Sequence, residues 1–285
     1  MTNLKGKTMV VTGANTGIGR VTAEKLAAQG AHVVLACRDL GRTQPVLDAI
    51  ARAGGQASFV ALDLADLDAV RVAAEKVGKH GPIHALINNA GLANVPGVTK
   101  QGFEMTFGVN HLGPYLFTAL LWPNILAGAP SRVINVASRA HTRIKTFPWE
   151  QFQGVHTSPG GFQQYCYSKL ANVLFTRGLA RRVKPDIVAT ACLHPGGVAT
   201  EVFRNQTWLV RTITGWFTMT PEQGATSTLA TATMPREQLQ HGAYYNEHAK
   251  VTPMNPLALD DALVEELWKK SAAWTGVPED WAGRP

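Results

Sequence analysis

The sequence has little charge, few cysteines and no long apolar run. Asp, Glu, Lys and Arg make up 16% of its 285 residues, against 45% hydrophobic residues. That balance excludes intrinsic disorder and supplies material for a large core. The three cysteines, Cys37, Cys166 and Cys192, have no metal-ligand spacing and no even number for a disulfide framework. They read as reduced thiols of a cytoplasmic protein, and no metal site is expected. No stretch reaches the roughly 18 uninterrupted apolar residues of a membrane span. The best candidate, "YLFTALLWPNIL", is cut by Pro123 and reads as a buried helix. The opening "MTNLKGKTMVVTGA" passes from a polar tail straight into a strand, without the pattern of a signal peptide. A net charge of +7 could suit a nucleic acid or a membrane surface, yet the basic residues are scattered apart from "RGLARRVK". No nucleic-acid partner is expected; an anionic cofactor accounts for a basic surface.

What is present is an alternation of short apolar runs with helical patterns. The runs are "TMVVTGA", "AHVVLACR", "ASFVALDL", "IHALINNAG", "RVINVAS" and "IVATACLHPG". Each is mostly continuous rather than alternating, as in strands covered on both faces. Between them, Val21, Leu26 and Ala27 share one helical face, stopped by Gly30. Leu67, Val70, Ala74 and Val77 share another, with Asp66 as N-cap. This rhythm predicts an α/β chain, a single domain over 1–285 built on a doubly wound parallel sheet with helices on both faces. "HGAYYNE" adds a late strand, and "LDDALVEELWKKSAAWTG" a closing helix ended by Gly276.

Directly after the first strand comes "TGANTGIG", opening a helix. Glycines let a backbone turn tightly against a pyrophosphate whose charge the N–H groups of a helix start stabilise, so the turn predicts a bound dinucleotide. Gly13, Gly17 and Gly19 are spaced G-x-x-x-G-x-G, not as the general G-x-G-x-x-G fingerprint. The second strand ends at neutral Cys37, followed by Arg38, Asp39 and, further on, Arg42. A carboxylate at that strand end would favour a ribose 2′-OH and NAD(H). Arginine suits a 2′-phosphate, so NADP(H) is the expected cofactor and NAD(H) the second choice. Asp39 leaves another reading open, a solvated loop pair with Arg38.

In order along the chain follow "LINNAG", "GVNHLG", "VINVAS" and "YCYSK". With "TGANTGIG" they resemble the short-chain dehydrogenase/reductase family over nearly the whole chain. Ser138 alone is an ordinary strand-end cap, and Asn110 alone an ordinary helical hydrogen-bonder; the ordered set is the specific signal. The resemblance implies a Rossmann fold and a catalytic set of Asn110, Ser138, Tyr165 and Lys169. It implies cofactor contacts from Gly13, Asn15, Thr16, Gly17, Ile18 and Gly19, from Arg38 and Arg42, and from Asp63 and Leu64 beside the adenine. Asn89, Ala90 and Gly91 would line the cofactor, joined by Tyr165 and Lys169. Pro195, Gly196, Val198 and Thr200 of "HPGGVAT" would pass the nicotinamide. It divides the chain at about residue 138 into a cofactor half and a half that forms the substrate pocket, lid and closing region. It also implies a homodimer or tetramer paired through the helices that carry Asn110 and Tyr165.

The chemistry of these residue types agrees. Reducing a carbonyl leaves an alkoxide that needs a proton, and oxidising an alcohol needs a base. A tyrosine, with a free pKa of about 10, serves only if that value is tuned. A nearby lysine ammonium is expected to favour the phenolate. A serine hydroxyl can stabilise charge developing on the substrate oxygen; the family resemblance implies that Asn110 holds a water linking Lys169 to solvent. Tyr165 and Tyr167 both precede Lys169, but residues i and i+4 share a helical face whereas i and i+2 do not. Only Tyr165 can use the lysine.

Within the family, "LACRDLGR", "YCYSKLANVLFTRGLARR", "LHPGGVAT" and the tail from "YYNEHAK" look like the retinol-dehydrogenase-like branch. The chain begins at the first strand instead of with the hydrophobic anchor many animal members of that branch have, and Gly197 replaces a bulkier residue. The long segment between Ser138 and Tyr165 is expected to wall the substrate pocket. Trp208, Leu209, Val210, Ile213, Trp216 and Phe217, within 203–219, read as a substrate lid, an oligomer contact or a peripheral membrane contact. A lid of this composition implies a hydrophobic ketone, aldehyde or alcohol. Two other functions fit the same residues: a non-catalytic cofactor-binding regulator, and a C=C reductase resembling protochlorophyllide reductases.

Overall fold

Seven parallel strands in the order β3-β2-β1-β4-β5-β6-β7 form one sheet in the computed structural model, which describes residues 3–156, 158, 161–197 and 219–283. The strands are β1 (Thr8–Thr12), β2 (His32–Cys37), β3 (Gln56–Ala61), β4 (Ala85–Asn88), β5 (Ser131–Val136), β6 (Val188–Leu193) and β7 (Tyr244–Tyr245). β1, β4 and β6 are buried throughout, which is why their sequences are apolar without alternation. Strand order reverses between β1 and β4, and there the glycine-rich turn and Asn89 meet, at the carboxyl ends of the strands.

Parallel neighbours require crossovers, supplied by α1 (Gly17–Ala28), α2 (Leu40–Arg52) and α3 (Leu67–Gly78), each ending in a turn back to the sheet. Leu67, Val70, Ala74 and Val77 are buried on α3, and Asp66 caps it by accepting the Asp68 N–H. The run "YLFTALLWPNIL" is a buried helix broken in two: α5 (Gly113–Leu120) and α6 (Trp122–Ala127), with Pro123 in the first turn of α6. Before it, α4 (Met105–Phe107) passes into a π-helical turn over Gly108–Leu112. "GVNHLG" therefore lies in that turn and not in a regular helix. No helix among the described residues is long and apolar enough to cross a membrane.

Later come α7 (Phe162–Ala180), α8 (Pro221–Thr233) and the closing helix α9 (Asp261–Thr275), ended by Gly276 in the left-handed region at φ 67°. α7 is buried on every side from Gln164 to Thr176. Its outer face and that of α5 are covered by α9. Trp268 lies 5.3 Å ring to ring from Tyr115 and 6.0 Å from Phe175, and Trp281 stacks on it at 4.9 Å.

Candidate active site

Thr12, the last residue of β1, accepts the N–H groups of Asn89 at 3.0 Å and Ala90 at 2.9 Å on its hydroxyl. Asn89 returns a bond from Nδ2 to the Thr12 carbonyl at 2.9 Å. The ends of β1 and β4 are tied together in this way. The turn between β1 and α1 is packed on this tie so tightly that glycine is required twice. A Cβ on Gly19 would lie 2.3 Å from the Gly13 carbonyl oxygen, and Gly13 itself sits at φ +65°. Thr16, ahead of α1, makes no side-chain cap and the first turn holds no acidic residue. Elsewhere Asp39, Asp66, Thr220 and Asp260 cap α2, α3, α8 and α9. The N–H groups that α1 leaves uncapped, beside Asn15, Thr16, Gly17 and Ile18, fit a pyrophosphate.

Further along the strand ends, buried Cys37 accepts the Ala14 N–H on Sγ at 3.1 Å, binding β2 to the same turn; burial pushes its thiol up from the ordinary value. Arg38 is exposed and makes no ion pair among the described residues. Asp39 instead spends its carboxylate on the start of α2, accepting the Arg42 N–H at 2.7 Å. The alternative Arg38–Asp39 loop pair does not form. Past β3, Asp63 is partly buried and accepts the Ala65 N–H at 3.0 Å, while Leu64 is buried against Gly113 of α5.

The four residues of the predicted catalytic set converge at the ends of β4 and β5. Asn110 is held in the π-helical turn by three bonds: Nδ2 to the Leu92 carbonyl at 2.9 Å and to Ser168 Oγ at 3.0 Å, and Oδ1 from the Leu92 N–H at 2.8 Å. Widened turns of this kind recur where a side chain must be re-aimed. Ser138 follows β5, caps the 3-10 turn Arg139–Arg143 by accepting the Ala140 N–H at 3.2 Å, and its hydroxyl opposes the upward shift of the Tyr165 phenol. Lys169, one turn beyond Tyr165 on α7, donates from Nζ to the Val136 carbonyl at 2.8 Å, with Nζ 5.6 Å from the Tyr165 ring centroid. Asn110 Oδ1 and Lys169 Nζ each lie 3.3 Å from where a Cβ on Gly91 would stand, so both face the same glycine-lined space. Tyr167 points away, packed against Phe147 and Phe152 with its hydroxyl taken by Gln163.

One electrostatic expectation is corrected. The lysine does not bring the phenol down in this structure. Burial pushes Tyr165 up to about 12, with the Ser138 hydrogen bond the main opposing influence. Lys169 is buried too, and desolvation draws it down to about 8, which weakens it as a counter-charge. Burial of both side chains thus favours the neutral phenol over the phenolate.

Pro195 and Gly196 follow β6, with Gly196 at φ +84° against Met219 and Glu247. Val198, Thr200 and all of the 203–219 segment except Met219 lie outside the described residues. Sequence reasoning missed Thr12 and Ser168 as holders of the site, although both sit inside the quoted motifs.

A model of the short chain dehydrogenase family matches residues 7–208. Human retinol dehydrogenase 11 is 38% identical over 283 residues, covering 97% of this chain and 88% of its own. An uncharacterized protein from Mycobacterium Paratuberculosis has a similar crystal structure, with TM-score 0.78, 31% identity, and 97% and 96% of the two chains covered. A metagenomic short-chain oxidoreductase in complex with NADP aligns at TM-score 0.65 and 26% identity, covering 86% of this chain and 99% of its own. This chain belongs to the short-chain dehydrogenase/reductase family of oxidoreductases, in its retinol-dehydrogenase-like branch.

Proposed function

We propose that this protein is an NADP(H)-dependent oxidoreductase that interconverts a hydrophobic aldehyde or ketone and its alcohol, with Tyr165 as general acid and base. The observation that carries the reading is the convergence of buried Tyr165 with Lys169, whose Nζ lies 5.6 Å from its ring, and with Asn110, which faces the same glycine-lined space as Lys169. The nicotinamide, when bound, supplies or accepts the hydride. Ser138 holds the substrate oxygen and stabilises charge developing there. Tyr165 gives its proton to that oxygen during reduction and recovers it during oxidation. Lys169, drawn close to neutral pH, resupplies the proton, with Asn110 holding the water that links it to solvent. Arg38, just past β2 and in no ion pair among the described residues, stands where an acidic residue would select NAD(H) and supports a 2′-phosphate. The NADP-bound relative supports the same cofactor.

The half beyond residue 138 forms the pocket in this reading. The name of the human relative points to a retinoid as the first substrate to try. The protein works in the cytoplasm and self-associates as a homodimer or homotetramer.

The test is incubation of the purified chain with NADPH and all-trans-retinal, alongside simple aromatic and aliphatic aldehydes, with product analysis. Alcohol formed from a carbonyl supports the reading. Saturable NADPH binding without oxidation on any of them favours a regulator, and a product with its carbonyl intact but a C=C bond reduced favours the other reductase chemistry.

A further inference from the structure

His141 lies one turn beyond Ser138 and is completely buried, yet it has no place in the proton route above. Both of its ring nitrogens are engaged. Nε2 faces the backbone N–H of Asn255 at 3.2 Å, and Nδ1 faces the Ser138 carbonyl at 2.6 Å. These partners settle the tautomer. A backbone N–H can only donate, so Nε2 accepts; a carbonyl can only accept, so Nδ1 carries the proton and donates it. Burial holds the imidazole below its ordinary pKa, in keeping with this neutral form.

Asn255 closes the arrangement from the far end of the chain. Its side chain is buried and donates from Nδ2 to the His141 carbonyl at 2.7 Å and the Ile144 carbonyl at 2.8 Å. The ring of His141 also stands edge-on to Tyr244 of β7, 4.5 Å between centroids. The 3-10 turn that starts at Ser138 is therefore held at its middle and far end by a residue 114 positions away in sequence, and at its near end by the His141 ring. An apolar side chain at this position would leave the buried Asn255 N–H without its acceptor and the Ser138 carbonyl without the ring N–H.

We propose that His141, held by Asn255, is a positioning residue that fixes the Ser138 backbone and so aims the Ser138 hydroxyl at Tyr165 and the substrate oxygen. This rests on the reading of Ser138 and Tyr165 given above. A hydroxyl that stabilises developing charge must be pre-aimed, and a small misplacement costs rate, not cofactor affinity.

The test compares His141→Phe, Ser138→Ala and the double variant with the parent protein and Tyr165→Phe. The probes are all-trans-retinal and benzaldehyde with NADPH. His141→Phe keeps the ring volume and the Tyr244 contact but has no N–H. The expected result is a kcat lower by about tenfold or more with KM for NADPH unchanged, and a double variant no slower than Ser138→Ala within about twofold. Because His141 acts through Ser138, removing both costs no more than removing the serine. A kcat within about twofold of the parent, or losses that multiply, overturns the proposal. If His141→Phe does not fold, His141→Asn and His141→Gln decide. Asn places an amide N–H near the Nδ1 position and should recover most turnover, Gln places it near Nε2 and should not, and the reverse order overturns the proposal. Tyr165→Phe separates the two claims: if it turns over normally, or the parent reduces neither probe, the catalytic reading fails and this proposal with it. If Tyr165→Phe is dead and His141→Phe indifferent, only this proposal fails.

Discussion

Lys169 stands one helical turn from Tyr165, its Nζ 5.6 Å from the ring centroid, and gives its hydrogen bond to the Val136 carbonyl at 2.8 Å. The ammonium is thus anchored to the end of β5, two residues before Ser138. Each of the three groups is positioned by the same junction of β5 and α7.

Burial of Lys169 has a consequence for stability. The folded chain holds its pKa at about 8, below the ordinary lysine value of 10.5, so between these values the unfolded chain binds the extra proton. The cost of keeping this lysine buried is full below the lower value, shrinks as pH rises through the window, and is gone above the upper one. Urea unfolding at pH about 8 and about 10 should show the parent protein gaining stability relative to Lys169→Met as pH rises. Parallel behaviour of the two proteins would contradict the assignment.

Gly19→Ala places a methyl 2.3 Å from the Gly13 carbonyl oxygen and 2.4 Å from Asn89 Nδ2. One contact lies within the glycine-rich turn and the other joins it to the end of β4. We expect destabilisation of about 1–3 kcal/mol and NADPH binding weakened by at least about tenfold, measured by thermal melting and fluorescence titration. Normal binding would show that the turn has room the structure does not provide.

Arg38→Ala should raise KM for NADPH by about tenfold while leaving KM for NADH nearly unchanged, because only the former carries a 2′-phosphate. Equal effects on the two cofactors would remove Arg38 from the specificity role.

The sheet and the phosphate-binding turn were legible because their signals are local. Continuous apolar runs mark doubly covered strands, Asp66 announces a helix start, and the i, i+4 spacing alone separates Tyr165 from Tyr167. The π-helical turn at Asn110 was not legible, since it answers bonds to Leu92 and Ser168 that only the fold brings near. Nor was the cover that α9 lays on α7, which joins Trp268 to Tyr115 from distant parts of the chain. The direction of the Tyr165 shift was misjudged for a related reason. Charge proximity can be read from spacing, but the desolvation of both partners depends on everything packed around them.

The most direct test of the central claim is Tyr165→Phe, assayed for NADPH-dependent reduction of all-trans-retinal and of the simple aldehydes together with NADPH binding. The account predicts turnover lower by at least about a hundredfold with NADPH affinity within about twofold of the parent protein, because only the proton donor is lost. Undiminished turnover in that variant would contradict it.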